Sequence, residues 1–246
     1  MEKVDFSFKE LDEEGLETLK AISDANKFNQ WMFDTIKPHV HGKILEVGSG
    51  IGNISRYFLE NGNLMYLSDI RENYRLFLKA NFNHYNHLQE ILDMNIVDPD
   101  FDAKFKHYFN YFDSIFALNV VEHIEDDKLA IYNISKLVKP GGNIIILVPA
   151  YQVLYNQLDK ELYHFRRYNS EGLKKLFIDN NLSVTKFFNF NFSGILGWFI
   201  SGKIQRNKII PKNQMNIFNY LVPVFKVMDT IVSNKVGLSL ICIGKK

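Results

Sequence analysis

Three glycines at alternate positions carry the clearest chemical signal in this sequence. Gly48, Gly50 and Gly52 come directly after a short apolar run, and a mixed apolar and polar segment follows them. This order predicts a strand, a tight loop and a helix. Glycine adopts backbone angles that a Cβ forbids, and main-chain N–H groups at a helix N-terminus bind polar or anionic ligands. We therefore expect a small-molecule pocket at this loop.

Four polar side chains mark successive predicted strands, in or at their carboxyl ends: Glu46, Asp69, Asp93 and Asn119. Ligands of open α/β sheets bind outside these ends, so the four are expected to line one pocket. After strand two, Asp69 is placed to accept hydrogen bonds from ribose hydroxyls, which indicates a nucleoside-containing cofactor. Just before the first glycine, Glu46 is placed to hold an ammonium group directly or through water. For each of these residues considered alone, the alternative is that it caps a helix or forms a turn.

The glycine spacing separates the candidate cofactors. The dinucleotide fingerprint G-x-G-x-x-G requires a glycine where this sequence has Asn53. The loop has no basic residue for a pyrophosphate and no G-K-[ST] follows it, which disfavours nucleoside triphosphates. The missing glycine therefore makes an NAD(P)-dependent oxidoreductase only an alternative interpretation. A non-catalytic protein that binds a cofactor through the same loop is another.

Two histidines are candidates for proton transfer. His123 follows the fourth predicted strand, where the acceptor of a reaction should bind, and imidazole titrates near neutral pH. It is the first candidate for a general base, and the alternative is that Glu122 and His123 cap a helix or bond to a neighbouring loop. His164, in a polar segment after strand five, is the second candidate.

A pair of arginines next to His164 is the candidate site for the substrate. Guanidinium groups bind carboxylates and phosphates through paired hydrogen bonds, so Arg166, Arg167 and the adjacent Tyr168 are predicted to clamp an anion. The alternative is structural. In that interpretation one arginine forms an ion pair with Asp159 or Glu161 and holds the loop.

Composition limits the class of protein. With 246 residues, 46% of them hydrophobic, the chain is long enough for one α/β domain with additions. Its net charge of +1 indicates no nucleic-acid partner. A single cysteine excludes a disulfide framework or a cysteine-rich metal site, and we expect no metal. The charged N-terminus lacks the apolar core of a signal peptide, which predicts a cytoplasmic protein.

Alternating strand-like and helix-like segments predict a parallel sheet with helices on its faces. An N-terminal helix is predicted at about 14–36, stopped by Pro38, and another at about 126–138, stopped by the Pro140-Gly141-Gly142 turn. The predicted strands lie at about 43–47, 64–68, 88–92, 112–118, 143–148, 182–192 and 238–243.

Taken in order, five motifs resemble those of the class I S-adenosylmethionine-dependent methyltransferases, over about residues 28–190. They are E-V-G-S-G-I-G at 46–52, Asp69 after strand two, Asp93-Met94 after strand three, N-V-V-E-H at 119–123, and K-P-G-G before strand five. The resemblance implies an α/β, Rossmann-like fold: a seven-stranded, mostly parallel sheet with helices on both faces and an antiparallel last strand. It also implies S-adenosylmethionine as cofactor and methyl transfer as activity.

Cofactor contacts follow from the resemblance, residue by residue. The loop of Gly48, Ser49, Gly50 and Gly52 would pass under the methionine part of the cofactor. Glu46 would help to organise that end. Asp69 would hold the ribose hydroxyls. Ile70 would lie against the adenine. Asp93 would accept from the adenine amino group, with the Met94 backbone beside it, and Asn119 would line the methionine side. The segment with Asp159, His164, Arg166, Arg167 and Tyr168 resembles one subgroup of the family.

The chain is predicted to be one domain, 1–246, with an N-terminal helical extension at 1–42 and a helical insertion at 193–236. The insertion is strongly apolar around a basic stretch at 203–212. It has three interpretations: a lid over the pocket, a dimer interface, or a surface that contacts a membrane without spanning it. We expect a monomer or homodimer that methylates O or N of a small-molecule or sugar-like acceptor.

Overall fold

One seven-stranded sheet runs through the computed structural model, which describes residues 13–246. The strands are β1 (Lys43–Val47), β2 (Leu64–Asp69), β3 (Leu88–Asp93), β4 (Phe112–Leu118), β5 (Val138–Pro149), β6 (Ser183–Phe190) and β7 (Ser239–Lys245). Their order is β3-β2-β1-β4-β5-β7-β6, and β7 is antiparallel to both of its neighbours. This confirms the predicted fold class. The first twelve residues of the predicted N-terminal extension lie outside the described residues.

Helices cover both faces of the sheet. They are α1 (Glu13–Ser23), α2 (Asn26–Ile36), α3 (Ser55–Glu60), α4 (Glu72–Phe82), α5 (Phe101–Phe105), α6 (Asp127–Leu137), α7 (Gln157–Glu161), α8 (Ser170–Asp179), α9 (Gly194–Trp198) and α10 (Lys212–Ile231). Side chains alternate along each strand, so Ile44 and Leu45 of β1 belong to separate apolar cores. Burial on both sides explains why residues 144–149 of β5 are all apolar.

The strand order changes direction between β1 and β4. From β1 the chain moves outward to β2 and β3, then returns to the other side of β1 as β4. In open α/β sheets, ligands bind at the carboxyl ends of the strands at such a switch point. The loop after β1 and the turn after β4, at 119–123, are therefore brought together here.

The N-terminal helix differs from its prediction. It is broken into α1 and α2 at Ala25, whose ψ of 62° is not helical. The Asn29 side chain donates to the carbonyl of Ile22 (2.8 Å) and satisfies an acceptor at the end of α1. The break allows α1 to turn across the glycine loop, where Asn53 donates to the carbonyl of Leu19 (3.0 Å).

Strand β5 begins earlier than predicted. Pro140, Gly141 and Gly142 lie inside it as an irregularity, where the pairing with β4 shifts register. Gly141 has φ of +80°, which glycine adopts freely, and its N–H donates to the carbonyl of Lys246 (2.8 Å). The turn residues are thus held by the end of the last strand and continue the sheet.

The segment between β6 and β7 holds α9, a π-helix at Phe199–Ile204 and α10. Helix α10 packs its buried side on α2, and Asn219 accepts from the N–H of Phe28 (3.1 Å). Within residues 13–246, no helix is both long and apolar enough to cross a membrane. The division of the chain into one domain with an extension and an insertion stays a prediction.

Candidate active site

The glycine loop follows β1 and is tightly packed. Gly48 and Gly52 have φ of +70° and +80°. A Cβ on Gly48 would lie 2.5 Å from Cγ2 of Val120, and one on Gly52 would lie 2.4 Å from Cε2 of Phe82. Both positions thus require glycine for the backbone angle and for the space. The contact with Val120 joins the loop to the turn after β4.

Asp69 ends β2 and binds the loop directly. Its Oδ2 accepts from the N–H of Gly50 (2.9 Å), and its Oδ1 accepts from the N–H of Arg71 (2.9 Å). Burial raises the pKa of this carboxyl above its ordinary value, although both hydrogen bonds oppose the shift. A carboxylate oxygen has a second lone pair, so each remains able to accept from a ligand hydroxyl.

Glu46 lies below the loop in β1 and is buried. Its carboxylate accepts from the hydroxyl of Ser55 in the first turn of α3. Burial raises the pKa of Glu46 to about 8, although the hydroxyls of Ser55 and Ser49 oppose the shift. Ser49 is also buried and connects the loop to β2, since its N–H donates to the carbonyl of Ser68 (2.8 Å).

Asp93 ends the edge strand β3, in register with Asp69 of β2. Its side chain is 69% exposed and forms a two-pronged ion pair with Arg75, with N···O distances of 3.0 Å. Arg75 also donates to the carbonyls of Asp69 and Ile70, and so connects the ends of β2 and β3. Met94, next in the chain, is buried in the core.

Asn119 occupies the turn after β4 with φ of +55°, in the left-handed region that asparagine tolerates. Its side chain is exposed, and its N–H donates to the carbonyl of Leu147 in β5 (2.9 Å). The backbone of Asn119 also hydrogen-bonds to the ring of His123. This turn thus joins the predicted cofactor residues to the first candidate base.

Five side chains form a cluster beyond this turn, here called the His164 cluster: Glu122, His123, Asp159, His164 and Arg167. Nδ1 of His164 lies 2.8 Å from Oδ1 of Asp159, which also accepts from Nε of Arg167 (2.8 Å). Asp159 is 0% exposed. Burial alone would raise the pKa of Asp159, but the hydrogen bond from His164 and the charge of Arg167 hold it below its ordinary value.

Glu122 completes the cluster on the opposite side of His164. It is 0% exposed, its Oε1 lies 4.0 Å from Nε2 of His164, and neither carboxylate oxygen makes a regular hydrogen bond within the described residues. Burial raises the pKa of Glu122 to about 8, against the opposing influence of its own N–H and of Arg167.

His123 packs edge-on against His164, with ring centroids 4.7 Å apart. Burial, together with the charges of His164 and Arg71, lowers the pKa of His123 to about 3. The backbones of Leu162 and Asn119 hydrogen-bond to the ring without reversing this shift. His123 is consequently neutral at physiological pH. Ligand atoms of Glu122, His123 and His164 lie within 4.8 Å of one another, a spacing also open to a metal ion.

The arginine pair makes internal contacts. Arg167 is buried, donates to the carbonyl of Ala150 (3.0 Å) and lies 4.7 Å from the ring of Trp198. Arg166 pairs with Asp127 (2.7 Å), which also accepts from the hydroxyl of Tyr168 (2.8 Å). The structural alternative, an ion pair between Arg167 and Asp159, is thus present. Anion binding by Arg166, Arg167 and Tyr168 stays a prediction.

Two members of the cluster were not predicted as site residues. From sequence, Glu122 is part of the motif at 119–123, with a helix cap or a bond to a neighbouring loop as its alternative role, and Asp159 is part of a motif or a structural ion pair. The available signal was the adjacency of Glu122 and His123 directly after a strand, since two titratable groups at a strand's carboxyl end are typical of a site.

Comparison with known proteins identifies the family. A family model described as a methyltransferase domain matches residues 14–186, well over half of the chain. The chain belongs to this family. Membership confirms the resemblance to class I S-adenosylmethionine-dependent methyltransferases, whereas the subgroup motif from Asp159 to Tyr168 stays a prediction. The family assignment also makes an oxidoreductase the weaker interpretation.

Individual relatives are distant. The probable polyketide synthase 40 of Dictyostelium discoideum is 29% identical in an alignment 138 residues long, which covers 48% of this chain and 5% of that protein. A SAM-dependent methyltransferase from Archaeoglobus fulgidus has the same fold, with a TM-score of 0.57 at 16% identity over 89% of this chain and 94% of that one. The [4+2]-cyclase SpnF also shares it, with a TM-score of 0.59 at 13% identity over 87% and 79% of the two chains.

Proposed function

We propose that this methyltransferase transfers a methyl group from S-adenosylmethionine to a hydroxyl of a small-molecule or sugar-like acceptor. The observation that carries the proposal is the buried Asp159–His164 pair beside the turn that follows β4. Nitrogen is the second candidate acceptor atom. A neutral amine attacks without first losing a proton, whereas a hydroxyl needs a base, and the His164 cluster offers one.

The residues around the loop fit S-adenosylmethionine. The loop after β1 turns tightly through positive φ angles at Gly48, Gly50 and Gly52, which suits a loop that passes under the cofactor. Glu46 and Asp69 are carboxyls, the groups suited to an ammonium and to ribose hydroxyls, while the loop has no basic residue for a phosphate. We assign Gly48, Ser49, Gly50 and Gly52 to the methionine part. Ile70, Asp93, Met94 and Asn119 keep their predicted contacts in this proposal.

His164 is the proposed general base. S-adenosylmethionine, when bound, supplies an electrophilic methyl group on a sulfonium. Nδ1 of His164 faces Asp159, so the neutral ring that donates Nδ1–H to this carboxylate has Nε2 as its proton acceptor. The acceptor hydroxyl gives its proton to Nε2, and the ionised Asp159 stabilises the resulting imidazolium. This reverses the order predicted from sequence, because His123, with its pKa lowered to about 3, is too weak a base.

His123 keeps a role as a neutral group that orients the acceptor hydroxyl through a hydrogen bond. Positioning matters because methyl transfer is an in-line displacement, in which alignment of the reacting atoms supplies much of the acceleration. Arg166, Arg167 and Tyr168 would contribute indirectly, by holding the loop that carries His164.

Calorimetry followed by methyl-transfer assays tests the proposal. We expect S-adenosylhomocysteine to bind at micromolar concentration and NADH not to bind. A panel of hydroxylated and aminated small molecules, assayed with isotope-labelled donor, then identifies the acceptor class. Binding of NADH alone would overturn the proposal, and transfer only to amines would overturn the choice of oxygen.

Replacing Asp69 with alanine is expected to weaken S-adenosylhomocysteine binding by about 1–3 kcal/mol, because charge-assisted hydrogen bonds to the ribose and to the loop are lost together. Asp69→Asn keeps an acceptor oxygen without the charge, and we expect an intermediate loss. Calorimetry at constant pH measures both variants. Unchanged affinity in Asp69→Ala would remove Asp69 from the ribose site.

Cofactor binding is expected to strengthen as pH rises towards 8. In the protein without ligand, Glu46 is protonated below pH 8, because burial raises its pKa to about 8. The ammonium group of the ligand binds the carboxylate form more tightly. Binding therefore releases a proton, and affinity rises by up to about tenfold per pH unit between pH 6 and 8. Calorimetry of S-adenosylhomocysteine in buffers of different ionisation enthalpy measures the released proton. Glu46→Gln should show neither effect, and a flat profile in the unsubstituted protein would refute the ammonium contact.

A second candidate function is cofactor binding without methyl transfer. The shared fold of a [4+2]-cyclase supports it, because a fold by itself does not determine the reaction. In that case S-adenosylhomocysteine would bind with the dependence on Asp69 described above, yet no acceptor would be methylated.

A further inference from the structure

Helix α10 carries an apolar stripe that no part of the described chain covers. Its members recur at intervals of three and four residues and are between 55% and 75% exposed: Ile217, Tyr220, Val224, Val227 and Ile231. This spacing places them along one face of the helix. The opposite face, with Met215 and Val222, is buried. A surface helix normally has one apolar face, so the second one indicates a partner.

The segment before α10 extends this apolar surface. Leu196, Phe199 and Ile204 are large apolar side chains that are exposed in α9 and the π-helix. The two segments are neighbours, since Gln214 in the first turn of α10 donates to the carbonyl of Gly197 (3.0 Å). We call the exposed apolar residues of 196–231 the insertion face.

The charge of this region identifies the partner. No aspartate or glutamate occurs between Asp179 and Asp229, whereas this stretch contains six lysines and arginines. Within residues 13–246, none of Lys203, Arg206 and Lys208 forms an ion pair with a carboxylate, and all three are exposed. The net charge of +1 for the whole chain conceals this basic region, because residues 1–179 have an acidic excess.

We propose that the insertion face docks on an anionic lipid surface. Apolar side chains on a helix that lies in the membrane interface insert among the lipids, and neighbouring lysines and arginines are attracted to acidic headgroups. A second copy of the chain fits less well as the partner. A twofold interface would bring two copies of the basic stretch at 203–212 together, and this stretch contains no acidic residue. The absence of a membrane-spanning helix among the described residues is compatible with docking at the surface.

Vesicle sedimentation with the full chain tests the proposal. We expect binding to phosphatidylcholine vesicles that contain phosphatidylserine, little binding to phosphatidylcholine alone, and release as salt is raised to about 1 M. Neutralising three basic residues, in K203Q/R206Q/K208Q, should weaken binding on the order of a hundredfold. The apolar variant V224S/V227S should also lose binding.

The matched control is L76S/I178S, which removes two equally exposed apolar side chains from α4 and α8, outside the insertion face. It should bind vesicles like the unsubstituted protein. Circular dichroism checks that each variant is folded. Equal binding to neutral and anionic vesicles, or none to either, would overturn the proposal. So would a dimer, detected by sedimentation equilibrium, that dissociates in V224S/V227S, since it would assign the face to a second copy.

Discussion

Replacing His164 with alanine is expected to lower kcat for methyl transfer by about 10²–10⁴-fold, the usual contribution of a general base. The affinity for S-adenosylhomocysteine should stay unchanged, because the proposal places His164 on the acceptor side of the site. Kinetics with the identified acceptor, together with calorimetry, separate the two effects. His123→Ala is expected to raise KM more than it lowers kcat, in keeping with an orienting role for a neutral imidazole.

His87→Ala is the control for the histidine variants, because His87 is exposed and lies before β3, away from the cluster. A chelator is the second control. EDTA should leave the rate of the unsubstituted enzyme unchanged. Loss of activity that added divalent metal restores would assign Glu122, His123 and His164 to a metal site and refute the proton role of His164.

Replacing Asp159 with alanine is expected to lower the free energy of unfolding by about 3–5 kcal/mol, the largest effect on stability among these variants. The guanidinium of Arg167, 1% exposed, would be left buried without its carboxylate. His164 and Trp198 would lose a hydrogen-bond partner, as would the N–H of Asn156. Denaturant unfolding followed by circular dichroism measures the loss.

A double variant distinguishes the charge from other effects at this position. D159A/R167M removes both charges and should recover part of the stability that Asp159→Ala loses, since no uncompensated charge remains. Asp179→Ala, which breaks an exposed pair with Lys175, should change stability little. Equal losses of unfolding free energy in Asp159→Ala and Asp179→Ala would show that the buried ion pair contributes no more to stability than the exposed one.

Much of the cofactor half of the site is local in sequence, and this made it predictable. Gly48 to Gly52 follow directly after β1, and Asp69 ends β2, so the switch point of a parallel sheet brings them together. Asp93 also ends a strand, in register with Asp69, and its contact with the cofactor stays a prediction. Its exposure and its ion pair with Arg75 follow from the position of β3 at the edge of the sheet, which the sequence did not predict.

The predicted helix and strand boundaries are wrong where contacts outside the local pattern decide them. The break at Ala25 depends on Asn29 and on the position of the glycine loop below α1, and neither has a signal in the helical periodicity. The early start of β5 depends on Lys246 at the far end of the chain. In both cases tertiary hydrogen bonds overrode local propensity.

The sequence by itself determined the family, the fold class that follows from it, and the loop from Gly48 to Gly52 with Asp69 beside it. Only the tertiary structure decided which histidine has a carboxylate partner, because the chain turns after α7 and brings His164 back to Asp159, where Arg167 also binds. It also decided which apolar residues of α10 are exposed. The first depends on the path of an irregular turn and the second on packing between segments distant in the chain, and periodicity describes neither.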